Sequence, residues 1–314
     1  MATYLVTGGA GFIGSHIAEK LVECGETVRV LDNLCTGHES NMDGFRDRIE
    51  FIEADLLDAQ AVAEAVAGVD VVFHQAALAS VPRSVEHPLD TNAACVTGTL
   101  TLLDAARRAG VTRLVYAGSS SAYGDQPTSS KRETDLPAPL SPYAAAKLAA
   151  EHYCHAYTST FGFETVCIRY FNVFGPRQDP NSDYSAVIPL FISAMLEGRR
   201  PTIYGDGHQS RDFTYVANVV HGNLLASRAA GAVGCSVNVA NGRQTSLLQL
   251  IDQLNTVLGT DIEPIFEDAR VGDVKESLAD ITAARKSLGY EPQVYFEEGL
   301  ARSIEYYRQV VAAG

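Results

Sequence analysis

A glycine-rich loop between an apolar strand and a helical stretch, a six-fold alternation of strand and helix patterns, and a looser second half together predict an α/β fold: a doubly wound parallel sheet of the Rossmann kind with a smaller α/β domain. Alternation of this sort implies right-handed crossovers and a ligand at the carboxyl ends of the strands. At 314 residues the chain exceeds the size at which one core keeps growing but is short for three domains, so two intertwined units are expected.

Residues 3–7 read as a short apolar strand, followed by the glycine loop and a helix over 12–24. Further buried strands are expected at 27–31, 51–54, 69–73, 113–117 and 164–168, separated by helices at 59–67, 89–109 and 142–161. Beyond 168 the segment 172–185 is polar and punctuated by Gly, Pro and Asn before an amphipathic helix at 186–197. Residues 212–228 read as a return to the first domain and 237–240 as one more strand. Helices of the smaller domain are expected at 246–258, 281–288 and 295–311. The expected division is 1–170 plus about 212–240 against about 171–211 plus 241–314.

A formal charge of -14 with only 24 Lys and Arg disfavours nucleic acid as a partner, because neutralising phosphates requires clustered cations. The chain opens on a strand rather than on a signal-like segment, and no apolar run reaches the ~18 residues of a membrane span, so a cytoplasmic protein without a membrane partner is expected. The six cysteines (Cys24, Cys35, Cys95, Cys154, Cys167, Cys235) have no metal-ligand spacing and are expected to be buried free thiols in a reducing compartment. His16, His74, His152, His155 and His221 are scattered and read as structural, so no metal is expected.

Gly8, Gly11 and Gly14, with Phe12 and Ile13 between them, follow a strand and open a helix, which aims free N–H groups and the positive helix end at a pyrophosphate. Their GxxGxxG spacing differs by one residue from the GxGxxG fingerprint. Asp32 ends the second strand 18 residues after Gly14, where a carboxylate accepts from both hydroxyls of an adenosine ribose. No Arg follows in Asn33-Leu34-Cys35-Thr36-Gly37, and Arg29 points elsewhere in an alternating strand, so NAD is expected rather than NADP. Asp55 reads either as an adenine partner or as a helix cap before Leu56-Leu57-Asp58.

Ser141 suits a helix N-cap and Pro142 the first helical position, so Tyr143 and Lys147 open a helix and share one of its faces. A flanking ammonium favours the phenolate and brings a phenol of pKa about 10 toward use as a general base. Ser119, Ser120 and Ser121, at the end of the fifth strand, place hydroxyls at the same edge. The combination indicates redox chemistry at an alcohol carbon.

Thr7 to Gly14, Asp32-Asn33-Leu34, Ser119 to Gly124, Tyr143 with Lys147, Tyr170-Phe171-Asn172-Val173-Phe174-Gly175-Pro176-Arg177 and Arg211-Asp212-Phe213 together resemble an extended short-chain dehydrogenase/reductase, more narrowly a UDP-hexose 4-epimerase and most of all the UDP-N-acetylglucosamine 4-epimerases. The match runs from residue 3 to about residue 290. One departure is Cys95, where the family often has Asn. The resemblance implies that Tyr143 takes the proton of the sugar 4-hydroxyl, Ser119 hydrogen-bonds the same oxygen, and Lys147 holds the nicotinamide ribose. A hydride then passes to NAD and returns to the other face of a 4-keto sugar. Gln75, Ala76, Ala77, Leu56 and Tyr170 are implied along the coenzyme, and Arg211 and Arg270 on the diphosphate of a UDP-sugar, with Asp273 facing its ribose. Asn172 is placed at the sugar or its phosphate, and Ala79, Gln178, Ala186, Val187 and Tyr204 around the sugar nucleotide, although 204–207 also reads as a surface turn.

Families on this scaffold that dehydrate or decarboxylate typically carry acids where this chain has Ser120 and Ser121, and hydroxyls are poor proton shuttles, which favours simple epimerisation. In similar epimerases confined to UDP-glucose and UDP-galactose a Tyr occupies the position of Ser277. The small residue leaves room for an N-acetyl group, so UDP-N-acetylglucosamine and UDP-N-acetylgalactosamine are the expected pair. The alternatives are a UDP-glucuronate 4-epimerase or decarboxylase, and a non-catalytic NAD sensor, which has no use for a positioned Tyr and Lys. The long helices at 89–109 and 142–161 are apolar on one side, as in the family's four-helix interface, and a homodimer is expected.

Overall fold

The computed structural model describes residues 1–126, 128, 130–180, 186–269 and 276–313. The chain opens with β1 (Thr3–Thr7), α1 (Phe12–Glu23) and β2 (Thr27–Asp32), which pairs in parallel with all of β1. β3 (Glu50–Glu53), α2 (Ala59–Val66) and β4 (Val71–His74) follow. Then come α3 (Val81–Glu86), α4 (Pro88–Asn92), a π-helical turn (Ala93–Thr97), α5 (Gly98–Ala109), β5 (Arg113–Ser119), α6 (Pro142–Phe161) and β6 (Glu164–Tyr170). β7 (Val173–Phe174), α7 (Val187–Leu196), β8 (Thr202–Tyr204), β9 (Ser210–Arg211) and β10 (Thr214–Tyr215) lead to α8 (Val216–Ala226) and β11 (Ser236–Val239). The chain ends with β12 (Thr245–Ser246), α9 (Leu247–Leu258), β13 (Ile265–Glu267), β14 (Glu276–Ser277), α10 (Thr282–Leu288) and α11 (Phe296–Ala313).

Seven strands form one parallel sheet in the order β11, β6, β5, β4, β1, β2, β3, so the chain winds outward from β1 in both directions. Successive strand residues alternate between two cores, as the two-residue period requires. Leu5, Val72, Leu114 and Tyr116 pack under α2, α5 and α6, whereas Val6, Phe73, Val115 and Ile168 pack under α1 and α8. A third apolar cluster joins α7, α9 and α11 through Phe191, Leu250 and Leu300, with Phe174, Phe213 and Phe296 stacked among them. The register brings Thr7 level with both Leu31 and His74, and Ser119 level with Tyr170, so these strand ends share one edge.

Two expectations need correction, and one is filled in. The helix expected over 89–109 is broken into α4, the π turn and α5, and α3 precedes it, started by Ser80, whose hydroxyl accepts from the Arg83 N–H, and by Pro82 in the first turn. The strands of the α/β second half are short pairs at positions the sequence pattern does not mark, because strands of two or three residues have no hydrophobic period to read. All six cysteines are free, but only Cys95, Cys154 and Cys167 are buried. Cys24, at the end of α1, and Cys35 and Cys235, in loops, are exposed.

Candidate active site

A cavity of about 680 Å³ opens along the carboxyl edge of the sheet. Gly8, Gly11, Phe12, Ile13 and Gly14 form its floor. Gly8 has a φ of +69°, and a Cβ there would stand 2.6 Å from the Ala76 nitrogen; a Cβ on Gly14 would stand 2.1 Å from the Gly8 carbonyl oxygen. The loop closes only with hydrogen at those positions. Gly11 caps α1 with no side-chain bond, which leaves the first-turn N–H groups directed at the cavity mouth.

Asp32 is buried at the end of β2, accepting from the Ala10 N–H (3.0 Å) through one oxygen and from the Leu34 N–H (2.8 Å) through the other. Each oxygen keeps a second lone-pair direction for a ribose hydroxyl. Arg29 turns away to Glu50 and to the Ala65 carbonyl. Asn33, Asp55 and Leu56 line the cavity beyond Asp32, and the Asn33 amide donates to Asp55 (2.6 Å). The cap of α2 is Asp58, not Asp55. Gln75, Ala76, Ala77 and Ala79 line the facing wall, where the Tyr170 hydroxyl donates to Gln75 Oε1 (2.9 Å) and accepts from Asn223 (2.9 Å).

Tyr143 and Lys147 face the same cavity from the first turns of α6. The predicted cap is present: the Ser141 hydroxyl accepts from the Ala144 N–H (3.2 Å), with Pro142 in the first turn. The expected acidic phenol is not. Desolvation of Tyr143, half-buried at the cavity wall, pushes its pKa up, with the Ser119 hydrogen bond working the other way. The ammonium expected to acidify it lies over the Tyr116 ring, 4.9 Å from its centroid, and burial pulls the Lys147 pKa down. Desolvation dominates both groups. Ser119 shares a hydrogen bond with Ser121 (2.8 Å), and a 3-10 turn from Ser120 to Tyr123 follows.

A second cavity of about 290 Å³ lies between α7 and the short strands. Asn172, Val187, Tyr204 and Arg211 line it, and Ala186 belongs to both cavities. Tyr204 sits on β8, so the turn read at 204–207 begins one residue later. Gln178 lines the larger cavity. Ser277 lies level with Arg211 between β14 and β9, and its hydroxyl accepts from the Asn172 amide (3.4 Å). Arg270 and Asp273 lie outside the described residues.

Residues 4–240 match the NAD dependent epimerase/dehydratase family. The chain is 40% identical over 309 residues to UDP-glucose 4-epimerase of Mycolicibacterium smegmatis, covering 97% of this chain and 98% of that protein. The chain belongs to the NAD-dependent epimerase/dehydratase family. It is an enzyme of the extended short-chain dehydrogenase/reductase type with NAD as its coenzyme. A UDP-N-acetylglucosamine 4-epimerase from Methanobrevibacter ruminantium, in complex with UDP-N-acetylmuramic acid, superimposes with a TM-score of 0.94 at 39% identity over 98% of this chain and 99% of that one. A UDP-glucuronic acid 4-epimerase from Bacillus cereus, bound to UDP-glucuronic acid and NAD, gives 0.90 at 32% over 98% and 99%.

For a member of this family the sequence left parts of the site unnamed. Arg83 and His38 line the larger cavity, Arg83 on the unforeseen α3; Gln209 and Phe191 line the smaller one. Ser80 ahead of Pro82 was the available signal for α3. Among the described residues no group of three His, Cys, Asp or Glu is placed to hold a metal, and no helix is long and apolar enough to cross a membrane.

Proposed function

We propose that this enzyme inverts carbon 4 of a UDP-hexose through a transient 4-keto sugar. The carrying observation is that Tyr143 and Lys147 face the coenzyme cavity while Ala186 is shared with the cavity that holds Arg211, so a hexose joined to a nucleotide on the Arg211 side reaches the phenol. The α1 N-terminus, Asp32 and Asp55 suit the pyrophosphate and adenosine of NAD, and Lys147 its nicotinamide ribose. When bound, NAD supplies a hydride acceptor and a positive charge beside the phenol.

As the phenolate, which the positive charge of bound NAD would favour, Tyr143 takes the proton of the 4-hydroxyl while Ser119, a hydrogen-bond partner of the phenol, bonds the same oxygen. Arg211 and Arg270 hold the diphosphate, with Asp273 at the uridine ribose, and the keto sugar turns about that anchored link. Tyr143 returns the proton once the opposite face is presented. Ser120 and Ser121 offer hydroxyls but no acid for removing water or carbon dioxide, which supports epimerisation alone.

Ser277 supports UDP-N-acetylglucosamine and UDP-N-acetylgalactosamine as the preferred pair, with weaker action on UDP-glucose and UDP-galactose. Its hydroxyl accepts from the Asn172 amide, and Asn172 lines the smaller cavity; on this reading a phenol at position 277 would take the space of an N-acetyl group. Residues 1–170 with about 212–240 form the coenzyme domain, and about 171–211 with 241–314 the sugar-nucleotide domain. Two copies pair through α5 and α6, where Tyr153 and Phe161 are exposed on α6. Incubating the NAD-loaded protein with each UDP-hexose, UDP-glucuronate included, and following the anomeric proton signals tests the reading. Conversion fastest for the acetylated pair is expected, and no epimer from any of them sinks it.

A further inference from the structure

We propose that the hydrogen-bond chain Thr7–His74–Thr99 positions the π turn carrying Cys95 against the Tyr143 and Lys147 pair, making His74 and Thr99 positioning residues of the reaction. It rests on the reading of Tyr143 and Lys147 as the reacting pair. Thr7, His74 and Thr99 are all buried and sit at the ends of β1 and β4 and in α5.

The protons of this chain have one consistent arrangement. The Thr99 hydroxyl donates its only proton to the Cys95 carbonyl at 2.6 Å. It is therefore an acceptor toward His74 Nε2, 2.8 Å away, and Nε2 must carry the hydrogen. His74 Nδ1 is then bare and accepts from the Thr7 hydroxyl at 2.7 Å. Burial and the Lys147 charge push the His74 pKa down to about 3, which keeps the ring neutral in this arrangement.

The chain ends where the backbone is irregular. The Gly98 N–H bonds to the Ala93 carbonyl, five residues back, and Ala94 in this turn lines the coenzyme cavity. The turn packs against α6, whose Tyr143 and Lys147 face the same cavity as Ala94. A thiol is a weak donor and a weak acceptor, so Cys95 cannot hold the turn by its own side chain as an amide would. The Thr99 hydroxyl fixes the turn through the Cys95 carbonyl instead. A second route runs through Tyr116, whose ring lies 5.7 Å from His74 on one side and 4.9 Å from the Lys147 ammonium, and whose hydroxyl donates to the Lys147 carbonyl (3.2 Å). Both routes lead from His74 to the catalytic turn of α6.

Thr99→Val keeps the shape and removes the hydroxyl; Thr99→Ser keeps the hydroxyl. Once turnover of the unaltered enzyme has established the reaction, the Val variant is expected to lose about tenfold in kcat with KM and NAD content within about twofold, and the Ser variant to recover most of the loss. A Val variant with unaltered kcat overturns the proposal, as does a Ser variant as impaired as Val, or a loss seen in KM or NAD content alone. The unaltered protein gives an independent reading should Val not fold. Its His74 ring nitrogens are expected to show a protonated Nε2 and a bare Nδ1, unchanged from about pH 5 to 9; the other tautomer, or titration near neutrality, contradicts the chain. No turnover by the unaltered enzyme, with the tautomer as stated, locates the failure in the functional reading.

Discussion

Tyr143 stands at the wall of the coenzyme cavity with its phenol pushed above the usual tyrosine range by burial. On the proposed reading, a phenol in that condition serves as a base only with charge brought in by the bound coenzyme. Tyr143→Phe is expected to lower kcat by about a hundredfold to ten-thousandfold while NAD stays bound, read from single-turnover assays and coenzyme content. Preserved turnover removes the phenol from its role. On the proposed role of Ser277 in sugar choice, Ser277→Tyr is expected to depress turnover of the acetylated pair selectively, and equal loss on both pairs refutes that role. Positions such as Tyr143, Lys147 and Asp32 were legible because caps and strand ends are written locally: Ser141-Pro142 starts α6 and the last residue of β2 faces the ligand edge. The phenol's pKa was not legible. It depends on how distant elements desolvate the hydroxyl, and the Tyr116 ring that receives the Lys147 ammonium comes from β5 rather than α6.

Among elements, the junction after β9 is held by one buried side chain. Asp212 is fully buried, its carboxylate accepts from the N–H groups of Asn241, Gly242 and Ala279, and its own N–H donates to the Ser277 carbonyl. It thus ties β9 and β14 to the loop after β11. Burial raises its pKa to about 7 against the pull of three backbone donors. With the folded value above the unfolded one, the protonated form is favoured by folding; this contribution is fully present below about pH 4 and is lost as pH rises through about 7. Urea midpoints measured at about pH 5 and 8 should therefore differ more for the natural enzyme than for Asp212→Asn, which lacks the titration; an equal difference in both discards the assignment. The long parallel strands and α6 were readable from hydrophobic period and punctuation. β9, β12 and β14 were not, since two-residue strands exist only through partners distant in sequence. The π turn escaped for a related reason: an apolar stripe over 89–109 reads as one helix whether or not the backbone shifts by a residue inside it.

For the whole molecule, the parallel sheet gathers the coenzyme floor, the serine hydroxyls and the Tyr143 helix at one edge, and the short-strand half adds a second cavity that meets the first at Ala186. That convergence is what alternating strand and helix patterns forecast, whereas the volume and lining of the second cavity rest on side-chain packing among α7, α9 and α11. The central claim is that the hydrogen on carbon 4 leaves and returns as a hydride while only the hydroxyl proton passes through Tyr143. Running the epimerisation to equilibrium in heavy water and reading carbon 4 by proton NMR tests it directly. Both epimers are predicted to keep their original hydrogen there; deuterium at carbon 4 would mean a proton is removed from carbon instead and would contradict the account.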